Sequence, residues 1–192
     1  MSAESRSVDI LETSLEQNAW LWEIVKQIDA CNLPNCWVAA GCIAQTVWNL
    51  AADHAADFGI RDVDIVYFDA TDLSLETEIA RERQLRRSFA QVPCQIDVKN
   101  EGRVHLWYEQ KFGYSIAPYT SIDDAVASFP TTSTAVGVRC SNGRFECLAP
   151  FGLDDLLSLR VRPNKRQITQ AIYAAKVDRW RALWPHVTYL PW

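Results

Sequence analysis

The stretch RDVDIVYFD (61–69) sets the strongest condition on how this chain folds. Val63, Ile65 and Tyr67 alternate with Asp62, Asp64 and Val66, and β-branched and aromatic side chains dominate. A period of two in such residues marks a strand. Alternate side chains of a strand share a face, so Asp62 and Asp64 project together, about 6.5–7 Å apart. The chain therefore needs a sheet in which one face of this strand is buried and the other carries two carboxylates.

Around this strand the hydrophobic period switches between two and 3.6. From about Asp9 to Ala30, Leu11, Leu15, Trp22 and Val25 recur at helical spacing, and Pro34 in NLPN blocks continuation. CWVAA (36–40) is a short apolar strand, and GCIAQTVWNLAADHA reads as a helix opening at Gly41. Leu73 to Ala90 is helical, with a Glu82–Arg86 pair in the stabilising i,i+4 orientation. CQIDVK (94–99) is another strand, GRVHLWYEQKFG a helix or a turn of one, and Ser121 to Phe129 a short helix ended by Pro130. TTSTAVGVRC and FECLA flank Asn142-Gly143, a hairpin signal because that turn needs positive φ. FGLDDLLSL (151–159) is a short helix, and Gln167 to Trp184 a long one with Tyr173, Val177, Trp180 and Trp184 on one stripe. The tail HVTYLPW packs back on the body. An apolar share of 48% is enough for one core, and no repeat or linker divides the 192 residues. The expectation is a single α/β (α+β) domain, with its core at about 35–150 and a helical cover at about 151–192.

Nineteen basic against 24 acidic residues leave a formal charge of −5. A protein that grips a polyanion by releasing counterions is normally basic, so nucleic acid is not the default partner. No run approaches the ~18 apolar residues of a membrane span. The opening MSAESRSVDILETSLEQ, with Glu4, Asp9, Glu12 and Glu16, lacks the apolar centre of an export signal. The six cysteines are accordingly expected as reduced thiols in the cytoplasm. Cys31 and Cys36 are the nearest approach to zinc-ligand spacing, and the three histidines are scattered.

Asp97 lies between Ile96 and Val98, and joins Asp62 and Asp64 if the two strands are neighbours. Three carboxylates at one spot repel, and without a cation at least one has a raised pKa. Oxygen ligands suit Mg2+ or Mn2+. Two such ions about 3.5–4 Å apart form the clamp used for in-line phosphoryl displacement. Gly41 follows an apolar strand and opens a helix, where a backbone can approach a phosphate and donate free N–H groups. Each feature also has a plain structural reading: a solvated strand face for the acids, a tight strand-to-helix turn for the glycine.

Taken together, Ala40-Gly41-Cys42, Asp62-Val63-Asp64 and Ile96-Asp97-Val98 resemble the motif of the DNA polymerase β-like nucleotidyltransferase superfamily. WVAAGCIAQTVWNL, DVDIVYFD, IDVKN, VHLWY, FPTTSTAVGVR, APFGLDDLLSL and VRPNK, over most of 37–184, are similar to a small bacterial family of nucleotidyltransferase-like proteins. The resemblance implies the polymerase β-like fold, a mixed sheet with helices packed around it. It implies transfer of a nucleoside monophosphate from a nucleoside triphosphate, with ATP the expected donor, to a hydroxyl-type acceptor. By the same resemblance Asp62 and Asp64 hold both metals, and Asp97 holds the catalytic one and helps the acceptor lose its proton. Gly41 and Cys42 cradle the β- and γ-phosphates. Cys42 departs from the family's Ser or Gly, and since a thiol donates weakly its backbone N–H must serve. The acidic charge favours a small-molecule or protein acceptor over RNA.

Lys99 shares the face of Asp97 and reaches either a phosphate or solvent. Arg160, Arg162, Lys165 and Arg166 cluster around Pro163, either solvated or closing over the triphosphate, with Lys165 the nucleotide-binding candidate. Arg81, Arg83, Arg86 and Arg87, mixed with Glu76, Glu78 and Glu82, read as an exposed helix face. Thr131 and Thr132 lie near the site or serve only as strand formers; Trp180, Trp184 and Trp192 are core packing, and His105 is a satisfied interior histidine. Two other functions fit parts of the pattern. Asp97-Val98-Lys99 matches the D-x-K element of metal-dependent nucleases but leaves Gly41 and the second acid of D-x-D idle. A non-catalytic module binding a nucleotide or a partner on the same scaffold accommodates Cys42.

Overall fold

The acid-bearing strand lies second in a five-stranded sheet, in a computed structural model that describes residues 3–192. Met1 and Ser2, which open the segment read for an export signal, lie outside the described residues. Strands β1 (Trp37–Ala39), β2 (Asp62–Tyr67), β3 (Gln95–Asn100), β4 (Gly137–Ser141) and β5 (Arg144–Leu148) take the order β3-β2-β1-β4-β5. β2 and β3 are parallel and the remaining pairs antiparallel, so the sheet is mixed. Its register sets Asp64 beside Asp97 on one side and beside Ala39 on the other. Asn142 and Gly143, both at positive φ, close the β4–β5 hairpin as their sequence requires.

The face of Val63, Ile65 and Tyr67 is buried in the main core together with Val38, Ile96, Val98 and Val138. Helices α1 (Ala3–Glu16), α2 (Ala19–Gln27) and α3 (Gly41–Ala51) contribute Leu11, Leu15, Leu21, Ile24, Ile43 and Trp48 to it. The single helix expected over 9–30 is two. Asn18 breaks it by accepting the Leu21 N–H as a cap and donating to Thr46 Oγ1 at 3.1 Å, so its buried amide is worth more outside the helix than in it.

Helix α4 (Leu75–Ser88) is not the solvated face its charges suggest. β3 is an edge strand whose outward N–H and C=O groups have no strand partner, and buried backbone polar groups must be satisfied. Glu78, Glu82 and Arg86, one turn apart, supply the partners: Glu78 accepts from Asn100 N–H (2.8 Å), Glu82 from Val98 N–H (3.4 Å), and Arg86 donates to the Ile96 carbonyl (2.8 Å). The opposite face of the sheet is covered only in part. Trp37, Ala39 and Val66 pack there with Ala135 and with Ile122 and Val126 of α6 (Ile122–Val126), which follows α5 (His105–Phe112).

Beyond the hairpin come α7 (Asp154–Leu157), β6 (Arg160–Val161), α8 (Gln170–Leu183) and β7 (Thr188–Tyr189). The tail does fold back, with β7 parallel to β6. The rings of Trp180 and Trp184 meet Trp48 edge-on at 5.4 and 5.5 Å, which fixes α8 against α3. All six cysteines are free, and no helix among the described residues is long and apolar enough to cross a membrane.

Candidate active site

The corner between β1 and α3 is strained. Ala40 takes φ 62° and ψ −127°, a conformation that glycine adopts freely and alanine does not, while its N–H donates to the Val136 carbonyl at 2.9 Å. Helix α3 starts at Gly41 with no side chain capping it, which leaves its first N–H groups for a ligand. A Cβ on Gly41 would come within 3.0 Å of Gln45 Nε2, so the bare backbone keeps this corner open. The Cys42 thiol is turned inward and donates to the Ala39 carbonyl at 3.4 Å; burial pushes its pKa well above the ordinary thiol value. Only the backbone N–H of Cys42 is left to face a phosphate.

A cleft of about 240 Å³ opens beside this corner. Asp62, Asp64 and Val66 of β2 line it together with Lys99 of β3, Glu101, Ala40, Gly41, Gln45, Phe129, Pro130 and Thr134, and Lys176, Arg179 and Trp180 of α8. Burial is the main force that raises the Asp64 carboxyl to about 6; Asp62 and Asp97 add repulsion, and Lys176 and Lys99 oppose it. An all-oxygen pair, with one member buried and its carboxyl raised, fits a hard divalent cation. Asp97 stands next to Asp64, but its carboxylate is engaged by Arg86 Nη2 at 3.3 Å and Gln95 Nε2 at 2.6 Å. Among the described residues no three His, Cys, Asp or Glu side chains converge as a metal-holding group. The expected trio is thus a facing pair with a neighbour tied to α4. Lys99 lines the cleft with its ammonium 3.5 Å from Glu82.

Glu101 escaped the sequence reading. It follows Asn100, a fully buried hub that takes N–H bonds from Asp69 and Gly102 and donates to the carbonyls of Asp69 and Asp72. Gly102 makes that packing possible, since a Cβ there would lie 2.8 Å from the Asp69 carbonyl oxygen. So placed, Glu101 is 7% exposed, faces the cleft and accepts no side-chain hydrogen bond from a described residue. Burial, reinforced by Asp64 and Glu78 and opposed by Lys99, pushes its carboxyl up to about 8. The signal was present: Lys99 and Glu101 continue the parity of Asp97. The sequence reading also missed Lys176 and Arg179, which lie off the apolar stripe of α8 and carry no motif of their own.

The basic cluster near Pro163 is spent elsewhere. Arg160 and Arg162 pair with Asp155, Arg166 pairs with Asp124, and the Lys165 ammonium stands 5.2 Å over the Trp192 ring; none of the four lines the cleft. Thr132 donates to Asp155, Thr131 is buried against Thr134, and it is Thr134 that reaches the cleft. Trp180 both packs in the core and lines the cleft. His105 is half-buried with no partner at Nδ1 among the described residues, so it is not the satisfied interior histidine expected.

The mixed sheet, the glycine corner and the paired acids define a polymerase β-like nucleotidyltransferase fold. The sequence profile of a nucleotidyltransferase family matches residues 26–189, and the chain belongs to that family. It is also similar to a solved structure described as an NMR structure that reveals a CCA-adding enzyme head domain. The two share 28% identity with a TM-score of 0.76, over 95% of each chain. A search among curated proteins finds no match.

Proposed function

We propose that this protein is a divalent-metal-dependent nucleotidyltransferase that moves a nucleoside monophosphate from a nucleoside triphosphate, ATP in the first instance, to a hydroxyl-type acceptor. The observation that carries this reading is the Asp62–Asp64 pair in a cleft that also holds the uncapped start of α3. Asp62 and Asp64 would hold Mg2+ or Mn2+, which when bound neutralises phosphate charge and acidifies the acceptor. Asp97, the register neighbour of Asp64, would join them once released from Arg86 and Gln95. The backbone N–H groups of Gly41 and Cys42 orient the terminal phosphates, and Lys99 adds positive charge on the cleft side of β3. Positioning and charge neutralisation supply most of the rate. The net charge of −5 favours a small-molecule or protein acceptor, and the likeness to a CCA-adding head domain makes an RNA 3′ end the comparison arm. The nuclease alternative leaves Gly41 and one acid of the Asp62–Asp64 pair, which line the same cleft, without a role.

Calorimetry with Mn2+ and a non-hydrolysable ATP analogue tests the reading. Asp64→Asn is expected to abolish binding while the unfolding midpoint stays near that of the wild type; unchanged affinity overturns the assignment. Pyrophosphate release from ATP on addition of cell extract then separates a transferase from a module that only binds.

A further inference from the structure

We propose that α8 supplies the triphosphate contacts of the cleft, with Lys176 and Arg179 holding the β- and γ-phosphate oxygens across from Asp62 and Asp64. This rests on the nucleotidyl-transfer reading above and assigns its phosphate-binding cations. Residues three apart on a helix share a face, and both side chains line the cleft that contains the two acids and Gly41. Neither forms a hydrogen bond or an ion pair with a described residue, although Lys176 also lies 5.6 Å from the Trp180 ring. Other cations are committed: Arg86 and Lys99 to Glu82, Arg160 and Arg162 to Asp155, Arg166 to Asp124.

The electrostatics describe a position waiting for an anion. Burial holds the Lys176 ammonium below its ordinary value and Arg179 pushes it further down, while Asp64 and Asp62 pull it back. A half-buried ammonium with an exposed guanidinium one turn away is relieved by a phosphate chain. Asp62 and Asp64 would hold the metal ions, and the Lys176 ammonium and Arg179 guanidinium, lining the same cleft, would meet the phosphate charge. The buried Trp180 and Trp184 lock α8 on Trp48, so these cations are held in place and not brought in by a mobile loop.

The test is calorimetric binding of two probes in the presence of Mn2+, a non-hydrolysable ATP analogue and inorganic tripolyphosphate. Lys176→Met and Arg179→Met are each expected to weaken both probes at least tenfold, and Lys176→Arg to restore most of the loss. Arg181→Met removes the same charge from the same helix, where the guanidinium lies over Tyr189, and is expected to change affinity less than twofold. If wild type binds both probes and the two Met variants bind them equally well, this proposal fails and the nucleotidyl-transfer reading stands. A loss confined to the nucleotide, with tripolyphosphate unaffected, moves the contact to the nucleoside and also overturns it. If wild type binds neither probe, the nucleotidyl-transfer reading itself fails.

Discussion

Glu78 and Glu101 are acids buried on either side of the same strand end, 4% and 7% exposed, and they live in opposite circumstances. Glu78, at the sheet edge under α4, accepts from Arg103 Nη1 at 2.9 Å and from Asn100 N–H at 2.8 Å. The Glu101 carboxylate, in the cleft, accepts no hydrogen bond from a described residue. A buried polar group is cheap when satisfied and costly when not. The sheet edge therefore spends its charges on architecture, whereas the cleft keeps an unpaired acid, two unpaired cations and a strained Ala40, and such unmet groups mark where a ligand completes the structure.

The contrast can be broken by substitution. The largest effect is expected for Glu78→Ala, which strands the Arg103 charge in the interior; urea unfolding should show a loss of about 3–5 kcal/mol. A loss under 1 kcal/mol would mean that the edge is not held by this pair. Glu101→Gln should act in the other direction. Wild-type Glu101 keeps its proton to about 8 in the folded chain against 4.5 as a free side chain, so folding binds a proton between these values and wild-type stability falls as pH rises through them. The Gln variant escapes that fall and should be more stable than wild type at pH 8.5, by about 1–3 kcal/mol. Unfolding curves across pH should show this advantage shrinking toward pH 4.5, and a variant weaker than wild type at every pH would show that Glu101 is satisfied. The smallest change concerns the strained corner. Ala40→Gly relieves the positive φ and should raise stability by about 1 kcal/mol, or roughly 2–4 °C in a thermal scan.

Much of the frame was legible in the sequence. The alternation of 61–69 placed β2, marked its core face and put both acids on the other face, and the Asn142-Gly143 turn closed the hairpin. The strand–Gly41–helix corner stood where it was read, and the long C-terminal helix buried its expected stripe. These features depend on neighbours a few positions away. The misreadings share another cause. Asn18 splits a helix because Thr46 lies next to it in space, and the charges of α4 cap an edge strand that only the sheet order exposes. β2 and β3 are neighbours, the condition on which Asp97 joins the acids, and Gln95 shares its face of β3, but the pairing of Asp97 with Arg86 of α4 was not foreseeable from its own strand.

Local periodicity marked most of the strands and helices and which side chains share a face, and the family resemblance implied that two carboxylates lie near a glycine corner. Tertiary structure decided which charges are spent. Whether Lys165 or Lys176 faces the acids, and whether Glu78 or Glu101 finds a donor, turns on distances between segments remote in sequence. Charge interactions fall off within a few ångströms of protein and water, so a pairing exists only where packing brings its two ends together.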